Sequence, residues 1–388
     1  MPFSSTVDNV KHPQVATLGL MAMDSASELG KKVDDHLRRL YQNIEDSIQT
    51  GDSSFLIPCS CPRFQSGDAK GIINQSVRGV DLYLLTDVGN YNCTYKMFGQ
   101  EVPMSPDDHF ADIKRAIQAI GGKAHRITVI MPNMYGGRQH RRSHRESLDC
   151  AVALQELQNM GVSSVMTFDA HDPRVQNAIP LHGFETVQPA YQFIKGLLRN
   201  VEGLKVDADH MMVISPDEGG MGRAIYIANV LGLDMGMFYK RRDYTRIVNG
   251  RNPIIAHEFL GTDVEGKDMI IIDDMISSGE SVLEVAAGLK ARKANRIFVF
   301  ATFGLFTNGL DKFDSAYEEG LITKVLTTNV IYQSPELLQR DWYISCDMSK
   351  YIAYIIDTLN HDQSISDLLI PSERIQDVVT RYRNGEKI

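Results

Sequence analysis

Met269-Ile270-Ile271-Ile272-Asp273-Asp274-Met275-Ile276-Ser277-Ser278-Gly279-Glu280-Ser281 begins with four apolar residues, passes two acids and closes in a polar turn with one glycine. A short apolar run bounded by turn formers is the pattern of a strand buried on both faces of a parallel sheet. Beyond it, from about Val282, the composition is helical, so the stretch reads as strand, loop, helix. The same alternation recurs to either side in DLYLLT (81–86), RITVIMP (126–132), SSVMTF (163–168), HMMVIS (210–215), RIFVFAT (296–302) and KVLTTNVI (324–331). Strands alternating with helical patterns are the signature of βαβ units. Seven such runs are many for one small sheet, so the chain is expected to hold two α/β domains in succession, each a mainly parallel sheet flanked by helices. The expected boundaries are 53–188 and 189–355, with a closing segment at 356–388. Residues 1–52 are expected to form an N-terminal helical extension, with a helix over roughly 25–48 whose Leu29, Val33, Leu37, Leu40 and Ile44 recur at helical spacing.

At 388 residues the chain exceeds the usual single-domain size, which agrees with two domains. Its hydrophobic share of 43% and charged share of 23% are those of a globular protein, and no apolar run approaches the ~20 residues that a membrane span needs. No basic stretch followed by an apolar one marks the start as a secretory signal, so a cytoplasmic location is expected. Five cysteines, an odd number in a long chain, do not read as a disulfide framework. A net charge of −9 argues against broad nucleic-acid binding, yet a local basic cluster can still hold phosphates.

In an open α/β sheet, ligands bind beyond the carboxyl ends of the strands, so the residues that follow each apolar run carry the chemistry. Asp273 and Asp274 lie at such an end. Desolvating two adjacent carboxylates is costly unless something accepts them, and the two cis-hydroxyls of a ribose are suitable donors. Ser277, Ser278, Gly279, Glu280 and Ser281 can then present hydroxyls and backbone N–H groups at a helix N-terminus, where an anion such as a 5-phosphate is favoured. A plain turn and helix cap would use the same residues, but strand, paired acids and Ser/Gly loop together are more specific than any one of them. Upstream, Asp217, Glu218, Gly219 and Gly220 follow another apolar run. The glycines let backbone amides approach a pyrophosphate closely, and Asp217 is suited to Mg²⁺. Phe238 to Arg246 is a third strand end, now basic, in which Lys240 and Arg242 can supply the positive charge that phosphoryl-type transfer requires.

The ribose loop resembles that of type I phosphoribosyltransferases and of phosphoribosyl diphosphate synthases. The full order of parts resembles the ribose-phosphate pyrophosphokinase family: an SPD-x-GG loop, a Lys-x-Arg pair opening a further loop, then the Asp-Asp ribose loop. In the first half, Arg63 to Asp68 resembles the family segment that reaches a nucleotide held by a neighbouring subunit, which implicates Phe64, Ser66, Gly67 and Asp68 in ATP binding. Tyr135 to Gln139 resembles the family's Tyr-x-Arg-Gln contact, implicating Arg138 and Gln139. Asp169-Ala170-His171 resembles its Asp-x-His, whose histidine contacts Mg²⁺-ATP. The resemblance implies two type I phosphoribosyltransferase-like domains, the first on the ATP side and the second on the ribose 5-phosphate side. It also implies the reaction: transfer of the β,γ-pyrophosphoryl group of ATP to C1 of ribose 5-phosphate, with Mg²⁺ as cofactor and a homo-oligomer, a hexamer, as the assembly. Ser76, Arg78, Arg145, Ser364 and Ser366 resemble positions that bind phosphate or ADP between subunits in many synthases.

The match departs at Ser277 to Ser281, where the family usually has Asp-Thr-Gly-Gly-Thr, and Glu280 adds a negative charge beside a phosphate site. His140 stands where Asp is common. Two other readings use parts of the same pattern. A non-catalytic regulatory paralogue would be expected to lose Lys240, Arg242, His171 or the paired acids, and all are present. A phosphoribosyltransferase would need the ribose loop but not His171 or the basic pair.

Overall fold

The computed structural model describes residues 13–42, 49, 51, 53–242 and 254–388; the side chains of 240–242 and 254–257 lie outside the description. Ile44 and the loop residues from Asp243 to Arg246 therefore fall outside it as well. The chain folds into two compact units, and neither is continuous in sequence. The first comprises the residues up to Gln188 with Asn329–Tyr332 and Asp347–Ile370; the second comprises Pro189–Thr328, Gln333–Cys346 and Pro371–Ile388.

The strands of the first unit are β1 (Leu18–Ala22), β2 (Cys59–Ser60), β3 (Ile72–Ile73), β4 (Asp81–Leu85), β5 (Thr94–Met97), β6 (Gln100–Pro103), β7 (Arg126–Ile130), β8 (Ser164–Phe168) and β9 (Gly183–Val187). Among the described residues the main sheet is five-stranded in the order β1-β4-β7-β8-β9, parallel throughout. Between β6 and β7, the helix Pro106–Ile120 starts at a capping box made by Ser105 and Asp108 and stops at Gly121 in the left-handed region. Its apolar stripe, including Phe110, Ile113 and Ile117, packs into the same core as Leu82, Leu84 and Val129.

The span 1–52 is not set apart in the way the sequence suggests. Its Leu18–Ala22 is the edge strand of the first sheet, and the helix Ser27–Tyr41 buries Leu29, Val33 and Leu37 against this unit. The strand is hard to read because Gly19 interrupts a short run, and a glycine weakens a strand. Packing requires it there: a Cβ on Gly19 would lie 2.4 Å from Cδ1 of Ile57. The observed division also falls between Gln188 and Pro189, whereas no unit boundary lies at the expected 355/356, because Asp347–Ile370 belongs as a whole to the first unit. The helix Ser349–Asn360 belongs to the first unit, where the Asn360 side chain donates to Asp81 at 2.9 Å.

The second unit contains β10 (Met211–Ser215), β11 (Asp234–Arg242), β12 (Ile254–Leu260), β13 (Asp268–Ile276), β14 (Ile297–Gly304), β15 (Lys324–Thr328) and β16 (Tyr343–Cys346). Their order is β12-β11-β10-β13-β14-β15-β16, parallel except for the antiparallel β11–β12 pair. Alternation along the strands fills two cores, one on each face: Met211, Val213, Ile270 and Ile272 on one side, Met212, Ile214, Met269 and Ile271 on the other. The fold is thus mixed α/β, with parallel sheets flanked by helices. Among the described residues no helix is long and apolar enough to cross a membrane.

Candidate active site

In the second unit three neighbouring strands, β11, β10 and β13, carry the three segments that the sequence singles out, all at their carboxyl ends. β13 continues through both acids to Ile276 and enters the helix Glu280–Lys290 through the turn Ser277 to Gly279. Asp274 is buried, 3% exposed, and its backbone N–H donates to Oδ1 of Asp273 at 2.9 Å. Burial, followed by the neighbouring Asp274 carboxylate, raises the Asp273 carboxyl well above the usual range, and Asp217 pushes in the same direction. Three carboxylates thus share one field across the ends of β10 and β13. Arg223, in the helix that follows the Asp217 loop, comes within 3.9 Å of Asp274. Nothing in the spacing of Arg223 along the sequence indicates this partner.

The turn after β13 is rigid for identifiable reasons. Gly279 has φ 82°, and a Cβ there would meet the ring of Phe313 at 2.3 Å, so both conformation and space demand glycine. The Ser277 carbonyl accepts from Thr307 N at 2.9 Å, tying the turn to the loop after β14. Ser281 lies in the first turn of the helix. Glu280 is fully exposed, and its carboxylate accepts from Lys312 at 2.8 Å, which holds its pKa below the usual range. Its negative charge, expected to burden a phosphate site, is matched by a lysine that is remote in sequence.

The loop after β10 is closed by Asp217, whose Oδ1 accepts from the N–H groups of Gly219 and Gly220 at 2.9 and 3.3 Å. Glu218 is exposed. Gly220 begins the helix Met221–Leu231, and a Cβ there would lie 2.8 Å from Oγ of Ser215 and 3.4 Å from the Ile272 carbonyl. This close approach of β10 to β13 is why a side chain is missing there. β11 pairs with β10 only from Asp234 to Met237 and runs on, paired with β12 alone, to Arg242. At ~3.3 Å per residue, the backbones of Lys240 and Arg242 sit roughly 10 and 17 Å beyond that last pairing. The two residues lie on a two-stranded arm, and their side chains lie outside the described residues.

The first unit holds the other predicted residues. Phe64 to Asp68 form a tight loop in which Phe64 N donates to Asp68 O at 2.7 Å and Ser66 Oγ to the Asp68 carboxylate at 2.8 Å. Gly67, with φ 97°, lets this loop pass Met97, and Phe64 is left 54% exposed. The loop's base is fixed by Arg63, which is bidentate to Asp112 at 2.9 and 2.9 Å. Arg138 is exposed, and Gln139 donates to the Ser147 carbonyl at 3.0 Å. His171 follows β8 through Asp169, a non-glycine residue at φ 39°, and the His171 ring lies 5.2 Å from that of His140. Of the suggested regulatory residues, Ser76 accepts from Arg78 N at 3.4 Å, and the Ser364 and Ser366 hydroxyls meet at 2.9 Å, both within their own turns; Arg145 is exposed.

Comparison with known proteins decides the family. Over 353 residues the chain is 30% identical to the ribose-phosphate pyrophosphokinase of Vibrio parahaemolyticus, covering 89% of this chain and 97% of that one. The chain belongs to the ribose-phosphate pyrophosphokinase family. By that membership it is a transferase of diphosphate groups that makes phosphoribosyl diphosphate. It is 29% identical to the Vibrio cholerae ribose-phosphate pyrophosphokinase over 352 residues, with the same coverage of 89% and 97%. Residues 18–161 match the N-terminal domain of ribose phosphate pyrophosphokinase, beginning where β1 begins, and residues 247–370 match the phosphoribosyl synthetase-associated domain. The fold is similar to that of phosphoribosylpyrophosphate synthetase from Mycobacterium smegmatis, with a TM-score of 0.70 at 20% identity, over 89% of this chain and 99% of that one.

Proposed function

We propose that the chain moves the β,γ-pyrophosphoryl group of ATP to the C1 hydroxyl of ribose 5-phosphate and releases AMP, on a site built at the ends of β11, β10 and β13. The observation that carries this reading is the adjacency of those strands: the ribose loop, the pyrophosphate loop and the basic arm stand side by side, in the order the transfer needs. Asp273 and Asp274 accept the sugar hydroxyls, and Ser277, Ser278, Ser281 and the amides of the turn receive the 5-phosphate. Glu280 contributes backbone only, since its carboxylate faces Lys312. The Asp217 to Gly220 loop cradles the pyrophosphate being transferred. The C1 oxygen forms its bond to the β-phosphorus as the bond from that phosphorus to the oxygen of AMP breaks, and the hydroxyl proton passes to solvent. Lys240 and Arg242 close over the group and offset the charge on the leaving oxygen.

Phe64, Ser66, Gly67 and Asp68 bind the nucleotide of a neighbouring subunit in a homo-oligomer, a hexamer; the exposure of Phe64 on its loop supports a role outside its own fold. Arg138, Gln139 and His171 bind ATP within their own subunit. The donors suit Mg²⁺. Among the described residues no three His, Cys, Asp or Glu side chains form a ready-made cage, whereas Mg²⁺ is usually held by one or two carboxylates together with substrate phosphates. Asp217 in the second unit and His171 in the first are its candidate ligands, and when bound it neutralises phosphate oxygens. Ser76, Arg78, Arg145, Ser364 and Ser366 form a regulatory anion site in the assembled protein. The chain acts in the cytoplasm.

The test is an assay of purified protein with ATP, Mg²⁺ and ribose 5-phosphate that follows AMP and phosphoribosyl diphosphate together. Both are expected in equal amounts, and the absence of both overturns the reading. Lys240→Ala should lower kcat by about 10²-fold or more with little change in melting temperature; near-normal turnover would remove Lys240 from its role.

A further inference from the structure

His140 stands where the family commonly has an aspartate, and its surroundings in the first unit are those of a metal-binding imidazole. Its Nε2 lies 3.5 Å from Oδ2 of Asp172, with the two side chains only 13% and 11% exposed. Asp172 is itself fixed, because Arg174 donates to it from the backbone at 3.0 Å and from Nε at 2.9 and 3.1 Å. The other ring nitrogen of His140, Nδ1, is shut off from solvent and has no hydrogen-bond partner. A buried polar nitrogen without a partner is costly and calls for a ligand. A carboxylate on one imidazole nitrogen, orienting the ring while the other nitrogen is left for a cation, is the usual second shell of a metal-binding histidine. The His171 ring is tilted by 56° with its centroid 5.2 Å away, near enough for two imidazoles to serve one ion.

We propose that Nδ1 of His140 is a second imidazole ligand, beside His171, for the divalent cation that arrives with the nucleotide, and that the pair shifts this chain's preference from Mg²⁺ toward Mn²⁺ and Co²⁺. The proposal rests on the reading of His171 as the nucleotide–metal contact. Its chemistry is that of ligand type: carboxylate and water suit Mg²⁺, whereas imidazole favours the later divalent ions. The two rings do not complete a coordination shell, so phosphate oxygens and water fill the rest, and the ion binds well only as a nucleotide complex.

Pulsed electron paramagnetic resonance of the full chain with Mn²⁺ and ADP, which counts directly bound nitrogens, tests it. Two nitrogen couplings are expected in the native protein and one in His140→Asp and in His140→Gln. MnADP affinity in these variants should fall about tenfold, and their ratio of Mn²⁺- to Mg²⁺-supported turnover should fall similarly. A single nitrogen in the native protein, unchanged in both variants, overturns the proposal. His171→Ala separates the two levels. If it leaves every nitrogen coupling and the MnADP affinity intact, the reading of His171 fails; if it removes a coupling while the His140 variants remove none, only the second ligand fails.

Discussion

Each unit places acids at the carboxyl end of a strand inside its main sheet, one in the first unit and an adjacent pair in the second, and the two units treat them differently. In the first unit, Asp87 follows β4, and its two oxygens accept separate backbone N–H groups, from Gly89 at 2.9 Å and from Tyr332 at 2.7 Å. It clamps the returning segment Asn329–Tyr332 onto its own unit. In the second, Asp273 and Asp274 at the end of β13 crowd each other and Asp217. A carboxylate whose oxygens are each met by the backbone is a structural staple, whereas Asp273, opposed by the carboxylates of Asp274 and Asp217, is placed to take up a donor or a cation. Burial alone does not distinguish the two cases, but the partners do.

The largest effect that can break this contrast comes from Asp273→Asn. Losing one charged acceptor for a sugar hydroxyl should lower kcat/KM by about 10²-fold. Removing an acid whose ionisation is opposed by burial and by the neighbouring carboxylates should raise the melting temperature, the usual trade between a strained site and stability. A variant that is both less active and less stable would place Asp273 with Asp87, as a staple.

Gly279→Ala comes next. The positive φ and the Phe313 ring both oppose a methyl group, for a loss of about 2 kcal/mol in chemical denaturation, together with about a tenfold rise in KM for ribose 5-phosphate as the turn shifts. An unaltered KM in a folded variant would show that the turn amides do not bind the phosphate.

A smaller effect concerns pH. Burial pushes the Asp87 carboxyl up to about 7, while its two backbone donors pull the other way. The folded chain therefore holds this proton more tightly than the unfolded chain, whose carboxyl titrates near ~3.9. The stability this contributes is fully present below the unfolded value and is lost as pH rises toward 7. The melting-temperature advantage of the native chain over Asp87→Asn should accordingly shrink between about pH 4 and 7 and level off above that range. An advantage constant across that range would mean that Asp87 ionises as an ordinary carboxylate.

The same contrast marks what was legible in the sequence. The strands that lead to Asp217 and Asp273 announce themselves, because apolar runs ending in acids and glycines satisfy burial and ligand binding together. β1 did not, since Gly19 is there for the close approach of Ile57 rather than for strand formation. The discontinuous units were hidden too: Asn329–Tyr332 and Asp347–Ile370 return to the first unit through contacts such as Asp87 with Tyr332, and no change of composition marks the crossing. Loop residues could be named by type, but partners far apart in sequence, Arg223 with Asp274 and Lys312 with Glu280, could not.

Glu280 provides the finest test, because there the sequence suggested a burden that a distant residue offsets. Its carboxylate is fully exposed and bonded to Lys312, and it sits on the first turn of a helix, where negative charge is favoured. An exposed pair of this kind is worth little in either direction. Glu280→Gln should therefore change KM for ribose 5-phosphate by less than about twofold, and that difference should vanish near ~1 M salt, where charges more than ~3 Å apart are screened. Lys312→Ala should raise KM slightly at low salt, because it leaves the carboxylate unmatched beside the phosphate. A tenfold drop in KM for Glu280→Gln would show that the lysine does not shield the site, and that this loop works with a repulsion that its neighbours at Ser277 and Ser281 must overcome.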